Sequence, residues 1–281
     1  MINDKFRVNY TTVPVAMYKG KHTKITETGN TVTLAHAHRE LEIIWITRGE
    51  AIFTVENKPY HVRKDDVIAV SPYAVHSCTV LAGKEFCHFC ICFDLKLIYD
   101  RTLTDELENG TAGITPFISG DIETTKHLAE CIKNACALMD ERQPGWELET
   151  AGNLSVFMGL LKRNNYIYKA VENQRNKLFC ASVMNYIDSN YSYDIGASDI
   201  ANKLYMNESY FCRVFKKNFG YTFHKYLSIY RAEKAKLLLN STDMSVSEAA
   251  ALSGFNNLSY FGKIFKGIYG LSATEYRNST V

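Results

Sequence analysis

The pattern of apolar and polar positions changes character twice along the chain. From about Thr31 to Asp94, short segments rich in β-branched and aromatic residues alternate with turn signals, which predicts a β-sandwich or small barrel. Between about Ile122 and Asn164, apolar residues recur at three- and four-residue steps, which predicts two helices separated at Pro144-Gly145. From Leu178 to Arg277 the pattern stays helical with frequent breaks, so the last third is predicted to be all-α.

These patterns predict an α+β chain of two domains, which suits a length of 281 residues. Residues 1–164 would form a β-barrel with a helical segment, and residues 178–281 an all-α domain. The polar, weakly periodic stretch 165–177 is expected to be a linker. The helices of 122–164 could pack on their own sheet or pair with a second copy of the chain, and we expect them to form a homodimer.

Composition narrows the class of protein only slightly. Apolar residues make up 46% of the chain, charged residues 22%, and the net charge is +2, which is typical of a soluble globular protein. The start, MINDKFRVNY, lacks the apolar centre of a signal peptide, and the longest apolar run, around LEIIWI, is far too short to span a membrane. Eight cysteines in a chain of this length do not indicate a disulfide scaffold. We therefore expect a cytoplasmic protein with reduced thiols and no membrane partner.

One twelve-residue pattern occurs twice at an offset of fifty positions. SYFCRVFKKNFG begins at Ser209, and SYFGKIFKGIYG begins at Ser259. In the first copy Phe211, Val214 and Phe215 fall on one face of a helix, while the opposite face is small and basic. The second copy repeats this division. Each copy is therefore predicted to be a helix that buries one face and exposes short polar and basic side chains.

Each copy follows a shorter helix and a tight turn, which is the pattern of a helix-turn-helix. Asn207 is placed to cap the first long helix, and Ser245–Glu248 has the spacing of a capping box. Ala201 and Ala251 are expected where the paired helices approach closely. The segment FHKYLSIYRAEKAKLLLN between the units predicts a strut of about 25 Å, long enough to hold two helices near adjacent major grooves, roughly 34 Å apart. A duplicated helical bundle with no DNA role is the alternative, although the near absence of carboxylates on the outer faces favours DNA.

Residues 194–277 resemble the DNA-binding domain of the AraC/XylS family of transcription regulators. The resemblance runs through DIANKL, NESYFCRVFKKNFG, YRAEKAKLLL, VSEAAALSGFNNLSYFGKIFKGIYG and ATEYR. It implies a regulator that is not an enzyme, that binds double-stranded promoter DNA, and that responds to a small-molecule effector.

By position, the resemblance also assigns DNA contacts to individual residues. The residues implied to face base edges are Ser209, Cys212, Arg213, Leu258, Ser259, Gly262 and Lys263. Those implied to lie near phosphates are Lys216, Lys217 and Lys266. We expect the first helix to carry more sequence specificity, because Arg213 can donate two hydrogen bonds to a guanine whereas Gly262 offers no side chain.

The β region contains a run of candidate metal or effector ligands. His36, His38 and Glu42 have the same parity, so in a strand they would point to one face, and His76 follows the next group of strands. This resembles the two cupin motifs, which hold a metal in cupin enzymes, although the second motif is shortened. Many AraC-like regulators carry a cupin domain as their effector-sensing module.

Three interpretations of these residues stay open. His36, His38, Glu42 and His76 could bind a divalent metal such as Zn, Ni, Fe or Mn. They could instead form a metal-free site that hydrogen-bonds an effector, or they could be satisfied core groups. The expected pocket is the mouth of the barrel, with Ile44 among the effector contacts and Trp45 on the opposite face. The absence of an obvious basic cluster there favours a neutral effector such as a sugar.

The remaining candidates are less specific. Cys87, Cys90 and Cys92 could be drawn as a metal cluster, but EFCHFCICF has the composition of an ordinary buried strand, so we expect packing. The alternative function from another class is a cupin metalloenzyme, a dioxygenase or isomerase, with an appended helical domain.

Overall fold

The structure is a computed structural model that describes residues 15–22, 30–80, 85–170 and 174–278. The chain divides into two compact units between Ala181 and Ser182. Among the described residues, the strands lie in the first unit, and the regular elements of the second unit are helices joined by turns. This is the predicted order of a β domain followed by an all-α domain.

Within the described residues, ten strands form in the first unit. They are β1 (Val15–His22), β2 (Asn30–His36), β3 (Leu41–Val55), β4 (Lys58–Arg63), β5 (Val67–Val70), β6 (His76–Val80), β7 (Phe86–Phe93), β8 (Ala112–Ile114), β9 (Phe117–Ile118) and β10 (Ile167–Lys169).

The described helices are distributed over both units. They are α1 (Arg101–Glu108), α2 (Glu123–Glu141), α3 (Trp146–Arg163), α4 (Gln174–Asn190), α5 (Ala197–Lys203), α6 (Glu208–Phe219), α7 (Phe223–Ser241), α8 (Val246–Leu252), α9 (Leu258–Tyr269) and α10 (Ala273–Asn278). The range expected to be a linker, 165–177, contains β10, which pairs with β8, and the start of α4. The division between the units falls inside α4.

The long strand β3 belongs to two antiparallel sheets. Its first part pairs with β5 and β7, and from Glu50 onward it pairs with β4 and β6. The strand changes sheets near Gly49, which has φ +78° and would place a Cβ 1.7 Å from the carbonyl oxygen of Glu85. Only glycine fits this bend. The first sheet is completed by β1 and β9, and the second by β2.

One apolar cluster joins the inward faces of both sheets. Ile44 and Ile46 lie in it, as predicted, together with Phe53 and Val80 from the second sheet. Trp45 packs on the opposite face of β3, also as predicted. The N-terminal domain is therefore the expected cupin-like β structure, wrapped around a filled apolar core.

The helices α2 and α3 pack against each other beside the first sheet. Leu128 and Ile132 of α2 and Leu154 and Phe157 of α3 are buried in the cluster that covers the outer face of that sheet. Of the two arrangements that the sequence left open, packing on the chain's own sheet is therefore observed. The outer face of α3 still exposes Leu148, whose surface is 80% accessible.

The second unit is assembled around α7. Phe223 and Tyr226, near its start, contact the aromatic face of α6. Ala232 and Ala235, further along, lie in the cluster that contains α8, α9 and α10. A single helix thus supports both helix-turn-helix units, as the sequence predicted for the strut.

Candidate functional site

The first helix-turn-helix unit, α5 to α6, exposes a polar face on a helix with defined ends. The Asn207 side chain accepts a hydrogen bond from the backbone N–H of Ser209 at 3.0 Å, which caps α6 as predicted. Gly220 ends the helix in the left-handed conformation, at φ +75°. Phe211 and Phe215 are fully buried, and this fixes which side of α6 faces solvent.

On that solvent side of α6 lie the residues that the sequence assigned to DNA. Ser209, Arg213, Lys216 and Lys217 are exposed, and Cys212 is half-buried. The exposed side chains carry three positive charges on about two turns of helix, and the one acid in the first turn is Glu208. This face is suited to a polyanion.

The second unit, α8 to α9, has the same construction. Asn257 caps α9 by accepting from the backbone N–H of Tyr260 at 2.9 Å, and Gly270 ends it at φ +74°. Burial of Phe261 and Phe265 turns the opposite face outward. On that face Leu258, Ser259, Lys263 and Lys266 are exposed and Gly262 is half-buried. The face carries fewer charges than that of α6, and no acid lies in its first turn.

The predicted role of Ala251 is wrong. Ala251 is exposed, and Ala250, only 1% accessible, occupies the position equivalent to buried Ala201. The reason is that the N-caps of the short helices, Gly196 and Ser245, are 49 residues apart, whereas α6 and α9 are 50 apart. The turn of the second unit is therefore one residue longer.

That longer turn depends on Gly254. Its φ is +86°, and a Cβ there would lie 2.6 Å from the carbonyl oxygen of Tyr191. Arg231 of α7 fastens the same segment, because its Nε donates to the Tyr191 carbonyl at 2.7 Å and its Nη2 donates to the Tyr193 carbonyl at 2.7 Å. The end of α4, α7 and the second turn are thus held together inside the second unit.

Three tyrosines near the recognition faces were not predicted as site residues. Tyr205, in the first turn, is 99% accessible at φ +54°. Tyr210 is half exposed, and the guanidinium of Arg213 lies over its ring, 5.2 Å from the centroid. Tyr260, its equivalent in α9, instead hydrogen-bonds Ser228 of α7 at 3.0 Å. The signal that could have found two of them is the Ser-Tyr-Phe triplet at the start of both repeats.

The second candidate site lies at the β domain's buried histidines. His36, His38 and Glu42 do not share one strand, contrary to the parity argument, because His36 ends β2, His38 lies in the following turn and Glu42 is the second residue of β3. They converge by topology: His36 is paired with His76 where β2 meets β6, and the turn brings the chain back to Glu42. The residues predicted to lie together therefore do so, but through strand pairing and a turn rather than through a shared strand face.

Glu42 is the centre of this cluster. Its Oε2 accepts hydrogen bonds from Nε2 of His38 at 2.8 Å and from Nε2 of His76 at 2.9 Å. The other ring nitrogens lie near backbone carbonyls, Nδ1 of His38 3.1 Å from that of Glu40 and Nδ1 of His76 2.9 Å from that of Ala74. Both rings are therefore held from two sides, and the carboxylate is buried with partners.

These contacts shift the ionisation of the cluster. Burial alone would raise the pKa of Glu42, but the charge of His76 and the hydrogen bonds from His38 and His76 hold that pKa well below its usual value. Burial alone would lower the pKa of His38, but its hydrogen bond to Glu42 and the charge of Glu42 raise it. The pair therefore favours an ionised carboxylate beside a protonated imidazole.

The donor set also fits a divalent metal ion. The ligand atoms of His36, His38, Glu42 and His76 lie within 4.8 Å of one another. Imidazole nitrogens and a carboxylate oxygen are ligands for Zn and for several other transition metals. A bound ion would take the place of the protons that now link Glu42 to the two rings. Ile44 is only 2% accessible and can supply an apolar wall beside this cluster.

A β domain of two antiparallel sheets with a buried polar cluster, joined to a domain with two helix-turn-helix units, defines a ligand-responsive DNA-binding regulator. Comparison with known families agrees. Residues 27–158 match the AraC-like ligand binding domain and residues 200–279 match a helix-turn-helix domain. The chain belongs to the AraC family of transcription regulators.

Relatives with both domains support this assignment. The HTH-type transcriptional regulator YdeC of Bacillus subtilis is 23% identical over 94% of this chain and 92% of its own length. The regulator YdiP of Escherichia coli is 21% identical over 86% of this chain and 80% of its own. The crystal structure of apo ToxT from Vibrio cholerae has the same fold, with a TM-score of 0.64 over 98% of this chain and 100% of that one, at 16% identity. Among the described helices, none has the length and apolar character needed to cross a membrane.

Proposed function

We propose that the chain binds its promoter through the exposed faces of α6 and α9, and that a small molecule bound in the β domain changes this binding. The observation that carries the proposal is the outward position of Arg213 and Lys263 on helices whose opposite faces are anchored by buried phenylalanines. Base contacts would come from Ser209, Cys212, Arg213, Leu258, Ser259, Gly262 and Lys263, and phosphate contacts from Lys216, Lys217 and Lys266.

The two recognition helices would contribute differently. In α6, Arg213 can read a guanine through two hydrogen bonds, which is worth about 1–3 kcal/mol of discrimination. In α9, Gly262 has no side chain and Leu258 can make only apolar contacts, for example to a thymine methyl. We infer that α6 supplies most of the sequence preference and α9 more of the affinity for the backbone.

Binding of the full chain to DNA from its own upstream region tests this proposal. Fluorescence anisotropy against a scrambled duplex would measure specificity, and a salt series would count phosphate contacts. Arg213→Ala should reduce the preference for the native duplex, whereas Lys216→Ala should weaken both duplexes alike and reduce the salt slope by about one. Lys133→Ala, an exposed lysine of α2, is the control. Equal affinity of the wild type for both duplexes would overturn the proposal.

The effector site is proposed at the polar cluster of the β domain, formed by His36, His38, Glu42, Ile44 and His76. Its polar atoms, a carboxylate and imidazoles on an apolar background, could hydrogen-bond the hydroxyl groups of a neutral ligand such as a sugar. A crystal structure of ToxT is described as bound to an unsaturated fatty acid, so fatty acids belong in the same screen. A ligand at a hundred times its dissociation constant should add about 2.7 kcal/mol of stability.

A cupin metalloenzyme is the second candidate function. The single observation in its favour is the His36, His38, Glu42 and His76 cluster, whose donors fit a catalytic metal. The family assignment favours the regulator. Metal analysis combined with turnover assays on dioxygenase and isomerase substrates would separate the two, because a regulator would show effector-dependent DNA binding without turnover.

We infer that the protein forms a homodimer through α3. The exposed face of α3 carries Leu148, Gly152, Val156 and Gly159 at helical spacing, and a Cβ at either glycine would meet no atom within 4 Å. The exposed face of α2 is instead lined with charges, including Lys126, Glu130 and Lys133. An effector would then act by favouring one arrangement of the two DNA-binding domains in the dimer. The change that it causes in the free energy of DNA binding cannot exceed the difference between its binding free energies for the two arrangements.

A further inference from the structure

Two cysteines of β7 face the same carboxylate as the histidines. The antiparallel register places Cys92 opposite Glu42 and Cys90 opposite Ile44. The thiol of Cys90 donates to Oε1 of Glu42 at 3.2 Å, and the sulfur atoms of Cys90 and Cys92 are 3.9 Å apart. Glu42 therefore contacts imidazoles through Oε2 and a thiol through Oε1.

Glu42 thus belongs to two adjoining groups of possible metal ligands. The ligand atoms of Glu42, Cys90 and Cys92 lie within 4.8 Å of one another, as do those of Glu42 and the three histidines. Cys90 is buried, Cys92 is half-buried, and both sulfurs are free of disulfides. A soft donor pair is therefore in place beside the imidazole and carboxylate set.

Simple packing does not account for this arrangement as well as ligation does. Side chains alternate along β7, so Phe89 and Ile91 point to the outer cluster while Cys90 and Cys92 point to the Glu42 side. Oε2 of Glu42 accepts hydrogen bonds from two imidazoles, whereas Oε1 accepts from the thiol of Cys90, which is a weak donor. An ion that accepts both sulfur and oxygen would satisfy all three groups.

We propose that Cys90, Cys92 and Glu42 form a site for a thiophilic divalent ion beside the histidine cluster, with Zn²⁺ preferred over Fe²⁺ or Mn²⁺. Sulfur and oxygen donors from three protein ligands, with a fourth position left for water, suit Zn²⁺, whereas Mn²⁺ prefers oxygen ligands. Each thiol that ligates the ion releases its proton to solvent, so two thiolates and the ionised Glu42 carboxylate together give the occupied site a net charge of −1. Glu42 is the ligand shared between the two groups. This inference adds ligands to the proposed effector site. The presence of the metal site does not depend on the proposed function, but the role of the ion as the effector does.

The test is a titration of the reduced, metal-free full chain with Co²⁺ as a spectroscopic probe for Zn²⁺. Thiolate ligation produces a sulfur-to-cobalt charge-transfer band in the near ultraviolet, which imidazole and carboxylate ligands do not produce. We expect this band in the wild type at one ion per chain and its disappearance on adding Zn²⁺. Absence of Co²⁺ binding, or binding without the charge-transfer band, would overturn the proposal.

Variants separate the thiols from the histidines. The double variant Cys90→Ser/Cys92→Ser should lose the charge-transfer band, and Cys87→Ser, which alters the opposite face of the same strand, should keep it. Because Cys90 lies in the apolar core, Cys90→Ala/Cys92→Ala serves as a second pair, and circular dichroism checks the fold of each. Retention of the band in both double variants would contradict the proposal.

Metal binding and DNA binding are measured separately. The cobalt spectrum is recorded without DNA, so it reports ion binding even if the chain fails to bind its promoter. Likewise, the promoter assay reports DNA binding even if the chain binds no ion. If the ion is the effector, Zn²⁺ should change the promoter affinity of the wild type and leave that of the double variant unchanged. Equal promoter affinity of the wild type with and without Zn²⁺ would contradict the effector role while leaving the site itself intact.

Discussion

Arg213 lies over the ring of Tyr210, with its guanidinium carbon 5.2 Å from the ring centroid. Both residues belong to the exposed part of α6, so the ring limits the conformations of the side chain that is proposed to read a guanine. Cation–π contacts of this kind at exposed sites are worth about 0.5–1 kcal/mol. In α9 the equivalent ring, Tyr260, is instead fixed to α7 through Ser228. The difference supports a larger role of α6 in specificity.

The first prediction is therefore that Tyr210 influences base reading without contacting a base. Tyr210→Ala should lower the preference for the native duplex by about 0.5–1 kcal/mol, because Arg213 loses its support. Tyr210→Phe keeps the ring and should retain the preference. Competition binding of both variants against a scrambled duplex measures the effect. An equal loss in the two variants would instead assign the role to the hydroxyl group.

The second prediction concerns the longer turn of the second helix-turn-helix unit. Gly254→Ala adds a Cβ at φ +86° that would lie 2.6 Å from the Tyr191 carbonyl oxygen, so the backbone must shift. Gly220→Ala is the matched control, because its φ is +75° but no atom lies within 4 Å of the added carbon. Gly220→Ala should cost about 1–2 kcal/mol, and Gly254→Ala about 1–3 kcal/mol more.

Urea denaturation followed by far-ultraviolet circular dichroism measures this difference in the helical unit. Trp45 and Trp146, the two tryptophans of the chain, both lie in the first unit, so tryptophan fluorescence reports the unfolding of that unit. Equal destabilisation by the two substitutions would show that the close approach of residue 254 to the Tyr191 carbonyl does not contribute to the loss of unfolding free energy.

The recognition helices could be predicted from the sequence because their signals are local. Apolar spacing and an asparagine at the N-cap each act within a few residues, and both were found in the structure. The position of Ala251 was wrong because it depends on turn length, which one inserted residue changes without altering the periodicity of either helix. Fixed offsets between repeats therefore predict helices better than they predict the turns between them.

The histidine cluster shows a different limit of sequence reasoning. Residue spacing suggested that His36, His38 and Glu42 share a strand face, yet they come from two strands and a turn. Their convergence, and the approach of Cys90 to Glu42, depend on strand pairing between residues far apart in sequence. Composition alone marked EFCHFCICF as an ordinary buried strand, because the register that sets Cys92 opposite Glu42 is not a local property.

The third prediction is that the stabilisation provided by the Glu42 cluster decreases at both low and high pH. The pKa of Glu42 is depressed, so its contribution is present above the unfolded value of about 4.3 and is lost as the pH falls through the folded pKa. The pKa of His38 is raised, so its contribution is full below about 6.5 and is lost as the pH rises through the folded pKa. The stabilisation should therefore be greatest between about pH 4.3 and 6.5.

The substitution Glu42→Gln isolates this effect. With a chelator present, the loss of unfolding free energy should be about 1–3 kcal/mol within that window and smaller on either side. Tryptophan fluorescence in urea at a series of pH values measures it, since both tryptophans report on the unit that contains Glu42. Glu130→Gln, at an exposed position of α2, should show no such window. A constant difference between wild type and Glu42→Gln from pH 4 to 8 would argue against an ionised pair.

The fourth prediction tests which helix mediates dimerisation. Leu148 is 80% accessible and Val156 is 56% accessible on α3, and full burial of each side chain would contribute about 1.5–3 kcal/mol. Leu148→Arg places a charge in that surface and should convert the protein to a monomer, as read by light scattering coupled to size-exclusion chromatography. Ala137→Arg introduces the same charged side chain at an exposed position of α2 and should leave the dimer intact.

Since two half-sites need two DNA-binding domains, the Leu148→Arg monomer should also bind a palindromic promoter more weakly than the wild type. If Ala137→Arg rather than Leu148→Arg separates the copies, the interface lies on α2.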